Sequence, residues 1–283
     1  MNYLRPRSVD AAVAQLAARP ARVVCGATDC FADPALVPGG VEWIDITGIE
    51  TLRGMTCHDG VARIGAAVTW EAIAQTAWMP VALRDAAAGV GSRQIRVQGT
   101  LGGNLCHASP LADGAPPLLA LDAEVELASV RGVRRMPLRD FLLGRRRTAL
   151  ASDELLVDIV FTLPGERHRT AFVKCTNRDG MALAVVSAAV HLCMRHDATV
   201  ESAAICVGGA SDVPLRIHGL ETALTRQHGR ELAGIIGGAA LAELSPIDDV
   251  RATAAHRIDL SRLAIQRAVR FCLEEFADVA PAN

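Results

Sequence analysis

Two glycine-bearing segments carry the residues best suited to chemistry. They are Cys25-Gly26-Ala27-Thr28-Asp29 and Thr100-Leu101-Gly102-Gly103-Asn104. Glycine permits positive φ and lets the backbone come close to a ligand. Successive N–H groups in such a turn form an anion-binding hollow, and a threonine hydroxyl adds a donor. The chemistry these segments suit is therefore phosphate binding. Neither reads G-x-G-x-x-G or G-x-x-x-x-G-K-[ST], so a Rossmann or P-loop site is disfavoured. Taken singly, each also fits a plain reversal of the chain.

Other chemistries find less support. The eight cysteines, Cys25, Cys30, Cys57, Cys106, Cys175, Cys193, Cys206 and Cys272, form no C-x-x-C pair. Zinc and iron–sulfur sites draw on clustered spacings, so these cysteines read as small buried hydrophobes. No H-E-x-x-H or H-x-H occurs among the eight histidines. No metal and no catalytic side chain is expected on this chain. With 29 Lys and Arg against 31 Asp and Glu, the net charge of −2 gives no case for nucleic acid. Arg145-Arg146-Arg147 reads as a solvated loop. No apolar run approaches the ~20 residues of a membrane span. Met1 to Arg7 leads into no apolar signal core. A soluble cytoplasmic protein is the expectation. Hydrophobic residues make up 51% but aromatics only 4%, so the core must be built of Ala, Val, Leu and Ile.

The elements that would position the two turns follow from periodicity. Val9 to Ala18 is helical, capped by Ser8 and ended before Pro20. Strands are expected at Arg22–Cys25, Val41–Asp45 and Val61–Gly65, with helices from Trp70 to about Ala77 and at Ala82–Ala88. Gly89 to Pro117 reads as a long loop, a length that usually signals function. Strands follow at Glu124–Leu127 and Glu154–Thr162. The polar stretch Pro164–Arg169 marks a domain boundary. Beyond it come strands at Ala171–Cys175, Met181–Leu192 and Thr199–Val207, then helices at Leu220–Thr225, Gly229–Leu244 and Ser261–Phe276. Strands followed by helices indicate an α+β fold.

In combination the motifs are more specific. Gln94-Ile95-Arg96-Val97-Gln98-Gly99-Thr100-Leu101-Gly102-Gly103-Asn104, running on through Ser109-Pro110 to Ala112-Asp113, resembles the flavoprotein subunit of the molybdenum hydroxylases, the xanthine dehydrogenase family. Its pattern is Q-I-R-N-x-G/A-T-x-G-G-N, and the first turn is similar to its A-G-G-T-D-L segment. Ile44-Asp45-Ile46, Leu52-Arg53-Gly54, Arg131–Arg134, Asp153–Leu156 and Gly208-Gly209 through Pro214-Leu215-Arg216 also have counterparts there. Asn177-Arg178-Asp179-Gly180-Met181 resembles the separate FAD subunits of bacterial xanthine dehydrogenases.

The resemblance implies an α+β chain. Residues 1–165 would form an FAD-binding domain of the vanillyl-alcohol oxidase (PCMH) type. Residues 170–283 would form a smaller C-terminal domain of the carbon monoxide dehydrogenase flavoprotein type. It further implies that Val23, Val24, Cys25, Gly26, Ala27, Thr28, Asp29 and Cys30 form the first pyrophosphate loop. Thr100, Gly102, Gly103 and Asn104 would form the second. Asp113 would meet the ribityl and adenosine side, and Leu156 and Lys174 the flavin. A lysine there would stabilise an anionic reduced ring. Partner chains would be a large subunit with the molybdenum cofactor and a small subunit with two 2Fe-2S clusters, assembled as a dimer of heterotrimers. NAD or oxygen would take the electrons.

This sequence departs from the family at Ala27, where a glycine is usual, and at Val90, where eukaryotic relatives place a flavin-stacking Phe. Alternatives stay open. Asp113 also fits the cap of a helix starting near Gly114, Lys174 a surface lysine on a strand edge, and Thr28-Asp29 a helix cap. Other functions compatible with the sequence are a standalone flavin oxidoreductase, the FAD subunit of a carbon monoxide, nicotinate or aldehyde dehydrogenase, and a scaffold that has lost FAD.

Overall fold

A computed structural model describes residues 3–30 and 42–277. In chain order the elements are β1 (Tyr3–Leu4), α1 (Val9–Ala18), β2 (Ala21–Val24), β3 (Glu42–Asp45), β4 (Met55–His58), β5 (Val61–Gly65), α2 (Trp70–Gln75), α3 (Val81–Ala88), α4 (Arg93–Gln98), α5 (Leu101–His107) and α6 (Ala115–Ala120). Then come β6 (Glu124–Ser129), β7 (Gly132–Pro137), α7 (Leu138–Phe141), β8 (Leu142–Gly144), β9 (Arg147–Thr148) and β10 (Leu155–Thr162). The last are β11 (His168–Cys175), β12 (Val186–Met194), β13 (Val200–Gly208), β14 (Leu215–Arg216), α8 (His218–Leu224), α9 (Leu232–Gly238) and α10 (Ala254–Ala277).

The chain forms two compact units, and neither is continuous in sequence. The first holds residues 1–73, 90–108 and 122–162; the second holds 74–89, 109–121 and 163–283.

In the first unit, β1, β3 and β2 make a small parallel sheet, and β4, β5, β10, β6 and β7 make an antiparallel one. Helix α1 starts at Ser8, whose hydroxyl accepts from Ala11 N at 3.2 Å. Its Ala12, Val13 and Leu16 pack with Ile44, Ile46, Ile49, Leu155 and Val157. That stripe is the one the 3.6-residue period demands. On the same antiparallel sheet, Arg63 bonds Glu126 at 2.5 Å and Asp158 at 2.8 Å, which ties β5, β6 and β10 together. Arg145 and Arg146 lie exposed in the turn between β8 and β9, and the exposed Arg147 opens β9.

In the second unit, β11, β12, β13 and β14 form an antiparallel sheet. One core joins Val186, Val190, Ile205 and Val207 to Leu220, Leu224, Leu232, Ile236, Ile265 and Val269 of helices α8 to α10. Helices α3 and α6 also pack on the sheet. Ala82 N donates to the Thr170 hydroxyl at 3.1 Å. His191 sits between His168, ring nitrogen to ring nitrogen 2.8 Å, and the Ala120 carbonyl at 3.3 Å.

Several expectations need correction. Gly89–Pro117 is not a structureless loop but carries α4, α5 and the start of α6, the first two capped by Ser92 and Thr100. Short polar and glycine-rich helices lack the apolar stripe that periodicity detects. The strand expected from Met181 begins at Val186, and Met181 and Leu183 are exposed. The helix expected over Gly229–Leu244 is a 3-10 turn at Gly229–Glu231 followed by α9, which ends at Gly238. His168 and Arg169 belong to β11, not to a polar break. Val41 lies outside the described residues.

Candidate cofactor-binding site

The two glycine turns meet inside the first unit. The turn after β2 lies flat against residues 98–100. A methyl group built on Gly26 would stand 2.1 Å from the Gln98 carbonyl oxygen and 2.9 Å from Gly99 Cα. One built on Gly99 would stand 3.5 Å from the Thr28 hydroxyl. Cys25 reaches the Thr100 hydroxyl with its thiol, and burial pushes that thiol's pKa up. Burial does the same at Cys30, so neither thiol carries the lowered pKa of a reactive thiolate.

The turns differ in what they offer an anion. In the second, every N–H from Leu101 to Asn104 already has a protein acceptor. Leu101 N donates to Val68 O at 3.0 Å and Gly102 N to Ala66 O at 3.0 Å. Gly103 N donates to the Thr100 hydroxyl at 3.1 Å, and Asn104 N to Thr100 O at 3.0 Å. The expected hollow of free N–H groups is therefore absent there. What remains is the Asn104 side chain, whose Oδ1 is buried without a hydrogen-bond partner. In the first turn, no acceptor among the described residues faces the N–H groups of Gly26, Ala27, Thr28 or Asp29. Ala27 holds φ at 56°, the left-handed conformation that glycine takes without strain.

Gly102 is needed for a reason other than ligand approach. A methyl group there would stand 2.6 Å from both Cβ and O of Ala66. The glycine lets α5 lie against the chain after β5. At Gly103 the nearest atom to such a methyl is the Thr100 hydroxyl oxygen, at 2.9 Å.

Of the other expected residues, Val23 and Val24 end β2 beside Ile44 and Asp45. Leu156 is buried on β10, opposite Leu127. Asp113 and Lys174 belong to the second unit and are brought together: Lys174 Nζ donates to Asp113 Oδ2 at 2.6 Å and to Gly89 O at 3.1 Å. Asp113 is not a helix cap, because α6 begins at Ala115 behind Gly114 with no side-chain cap bond. Nor is Lys174 a surface residue, although β11 is an edge strand; its side chain is 14% exposed. Burial raises the Asp113 carboxyl to about 6, against the opposing pull of Lys174. Its Oδ1 is buried and unpartnered, an acceptor left over for a donor from outside the protein.

Sequence reading missed the supports. Trp70 N donates to Gly99 O at 3.1 Å, and Glu71 accepts from both Arg93 and Arg96 at 3.1 Å. Charge spacing held a signal for the second, since Arg93 and Arg96 stand three apart on one helix face. Among the described residues, no three His, Cys, Asp or Glu side chains converge to hold a metal. No helix among them is long and apolar enough to cross a membrane.

A turn whose N–H groups face no acceptor among the described residues, set in a backbone cradle that only glycine fits, suits a dinucleotide cofactor's pyrophosphate. Comparison with known proteins agrees. The FAD binding domain in molybdopterin dehydrogenase matches residues 1–164, and the CO dehydrogenase flavoprotein C-terminal domain matches residues 171–271. The xanthine dehydrogenase FAD-binding subunit of Escherichia coli O157:H7 is 31% identical over 233 residues, covering 80% of this chain and 79% of its own. The caffeine dehydrogenase subunit beta of Pseudomonas sp. (strain CBB1) is 29% identical over 283 residues, covering 95% and 93%. A chain of the carbon monoxide dehydrogenase of Hydrogenophaga pseudoflava superposes with a TM-score of 0.89 at 25% identity, covering 97% of each chain.

Proposed function

The chain belongs to the FAD-binding subunits of the molybdopterin dehydrogenases, a family of oxidoreductases, and from that premise we propose that it serves a xanthine dehydrogenase-like complex, passing electrons from partner iron–sulfur clusters through FAD to NAD or oxygen. FAD, when bound, takes electrons singly and passes them on as a pair. The observation that carries the cofactor assignment is the first turn, whose N–H groups from Gly26 to Asp29 have no acceptor among the described residues while Gly26 packs on Gln98.

In this reading the turn Cys25–Cys30 donates its backbone N–H groups to the pyrophosphate. Thr100 and Asn104 border the same place. Gly102 and Gly103 keep α5 in position, and Val23, Val24 and Leu156 form the surrounding strands. Asp113 Oδ1 accepts from a cofactor hydroxyl, and Lys174 supplies positive charge. Hydride transfer at a flavin needs orientation more than side-chain acid or base. That suits a site with no catalytic side chain.

Partners are proposed by the same reasoning: a molybdopterin-binding large subunit and a 2Fe-2S small subunit, in a dimer of heterotrimers. The relatives' names, which include xanthine and caffeine dehydrogenases, support a chain that works as one subunit of several. The division into domains 1–165 and 170–283 is proposed with it as a division by family, supported by the two matched families, and the compact units interleave across it. A cytoplasmic setting is supported by the free cysteines of the described residues.

The test is direct. Purified chain should carry about one FAD, released by acid precipitation, and should oxidise no xanthine alone. Colourless protein that takes up no added FAD refutes the cofactor assignment. Heterocycle oxidation by the single chain, free of molybdenum and iron, would instead favour a standalone oxidoreductase.

A further inference from the structure

Helix α4 buries none of its six side chains, and Ile95 and Val97 are 39% and 42% exposed. A six-residue helix has no stability of its own in water. With no packing to supply it, attachments must. The Ser92 hydroxyl caps Ile95 N at 3.4 Å, and Gly99 N closes the other end on Ile95 O at 2.7 Å. Between these ends, Arg93 Nε donates to Glu71 Oε1 and Arg96 Nε to Glu71 Oε2, each at 3.1 Å. Both carboxylate oxygens are thus engaged. Arg96 adds a longer bond to Gly91 O at 3.4 Å. Glu71 is the second residue of α2, and its neighbour Trp70 holds Gly99 O. The two arginines keep the Glu71 carboxyl below the usual range, as an engaged carboxylate should be.

The helix ends at Gln98, whose carbonyl lies against Gly26, and Thr100 follows two residues later. The place of α4 therefore sets the spacing between the two turns. We infer that Glu71 is a positioning residue for the cofactor site: by clamping Arg93 and Arg96 it holds α4, and so residues 98–100, against the phosphate-binding turn. The inference rests on the FAD reading above.

Electrostatics and positioning predict opposite signs. Glu71→Gln removes a negative charge close to a site for a diphosphate, so the field alone would tighten FAD binding. Loss of the clamp would loosen it. The expected result is a rise in the FAD Kd on the order of ten-fold. Arg96→Gln should do much the same, because Arg96 is only 21% exposed. Arg93→Gln should change the Kd by less than about three-fold, its side chain being 73% exposed. Glu71→Asp, which keeps the charge but shortens the reach, should also weaken binding.

Hydrogen exchange on the FAD-free chain supplies a readout independent of the cofactor. Amides 95–99 should exchange roughly ten-fold faster in Glu71→Gln than in wild type. Unchanged or tighter FAD binding in Glu71→Gln overturns the inference, as does unchanged exchange. Wild-type chain that binds no FAD refutes the cofactor reading, and faster exchange in the variant would then leave Glu71 a clamp of the fold alone.

Discussion

Gly26→Ala is the sharpest probe of the packed turns. The methyl group would arrive 2.1 Å from Gln98 O, 2.8 Å from Gln98 C and 2.9 Å from Gly99 Cα. All three atoms are backbone, so no side chain can swing away. Reaching an ordinary contact of about 3.4 Å means parting the turn from residues 98–99 by roughly 1.3 Å. Overpacking of this kind costs about 2 kcal/mol. If the turns part, most of that cost falls on cofactor binding, because the N–H donors of the first turn are then displaced from their place beside residues 98–99. The FAD Kd should rise about thirty-fold. The assay is titration of FAD into the apo-protein followed by flavin fluorescence, with circular dichroism to confirm retained secondary structure. Gly54→Ala is the control, since its methyl would meet nothing nearer than Thr51 O at 4.0 Å; it should keep full affinity. Gly26→Ala with wild-type affinity and wild-type melting temperature would refute the argument that this contact fixes the turn.

Ala27 at φ 56° is strained by about 1 kcal/mol, part of which glycine would give back through its freer unfolded chain. Ala27→Gly should therefore hold or slightly raise the melting temperature, and a clear fall would contradict the strain. The raised Asp113 carboxyl makes stability depend on pH. Its folded pKa of about 6 exceeds the unfolded value, so the folded chain holds the proton more tightly. This contribution is full below about pH 4 and is lost as pH rises through 6, a swing of about 3 kcal/mol. Urea unfolding between pH 4 and 7 should show that fall in wild type and not in Asp113→Asn; parallel profiles would refute it. Arg257 is 2% exposed and donates to Val185 O at 2.6 Å, Gly209 O at 2.9 Å and Asp249 Oδ1 at 2.6 Å. Arg257→Met should cost roughly 3 kcal/mol in chemical denaturation, because the Val185 and Gly209 carbonyls lose this donor and Asp249, still held by Arg251 and Ala252, loses its buried partner. A loss under about 1 kcal/mol would show that water replaces it.

How much the sequence disclosed depended on whether a local signal existed. Helix α1, with its cap at Ser8, and strand β5 were legible in full because an apolar period runs their length. Helices α4 and α5 were not. Gly102 and Gly103 weaken helical propensity, and the forces that form α5 come from carbonyls of Ala66 and Val68 far back in the chain. Both glycine turns were singled out by glycine and threonine content, yet that content could not say which turn has donors to spare. Ala66 O and Val68 O decide this, and nothing in the motif names them. The Lys174–Asp113 pair joins residues 61 apart, a distance no periodicity spans. Its members were found by resemblance, and their partnership only by structure.

The interleaving of the two units has a consequence for how the molecule comes into being. The chain passes from one unit to the other five times, the last at residue 163, where it settles into the second. While residues 1–165 are all that has been synthesised, α3 and α6 have no sheet to cover. Leu83, Ala86, Leu118 and Leu119, all buried in the finished protein, have no strands from β11 onward to rest on. The first half therefore leaves the ribosome with two apolar segments looped out, awaiting β11 to β13. Contacts this distant in sequence form slowly and leave apolar surface open to misassociation. Cleavage at the apparent midpoint would give no self-sufficient half: an N-terminal fragment would aggregate through α3 and α6, and a C-terminal fragment would present the uncovered face of its sheet.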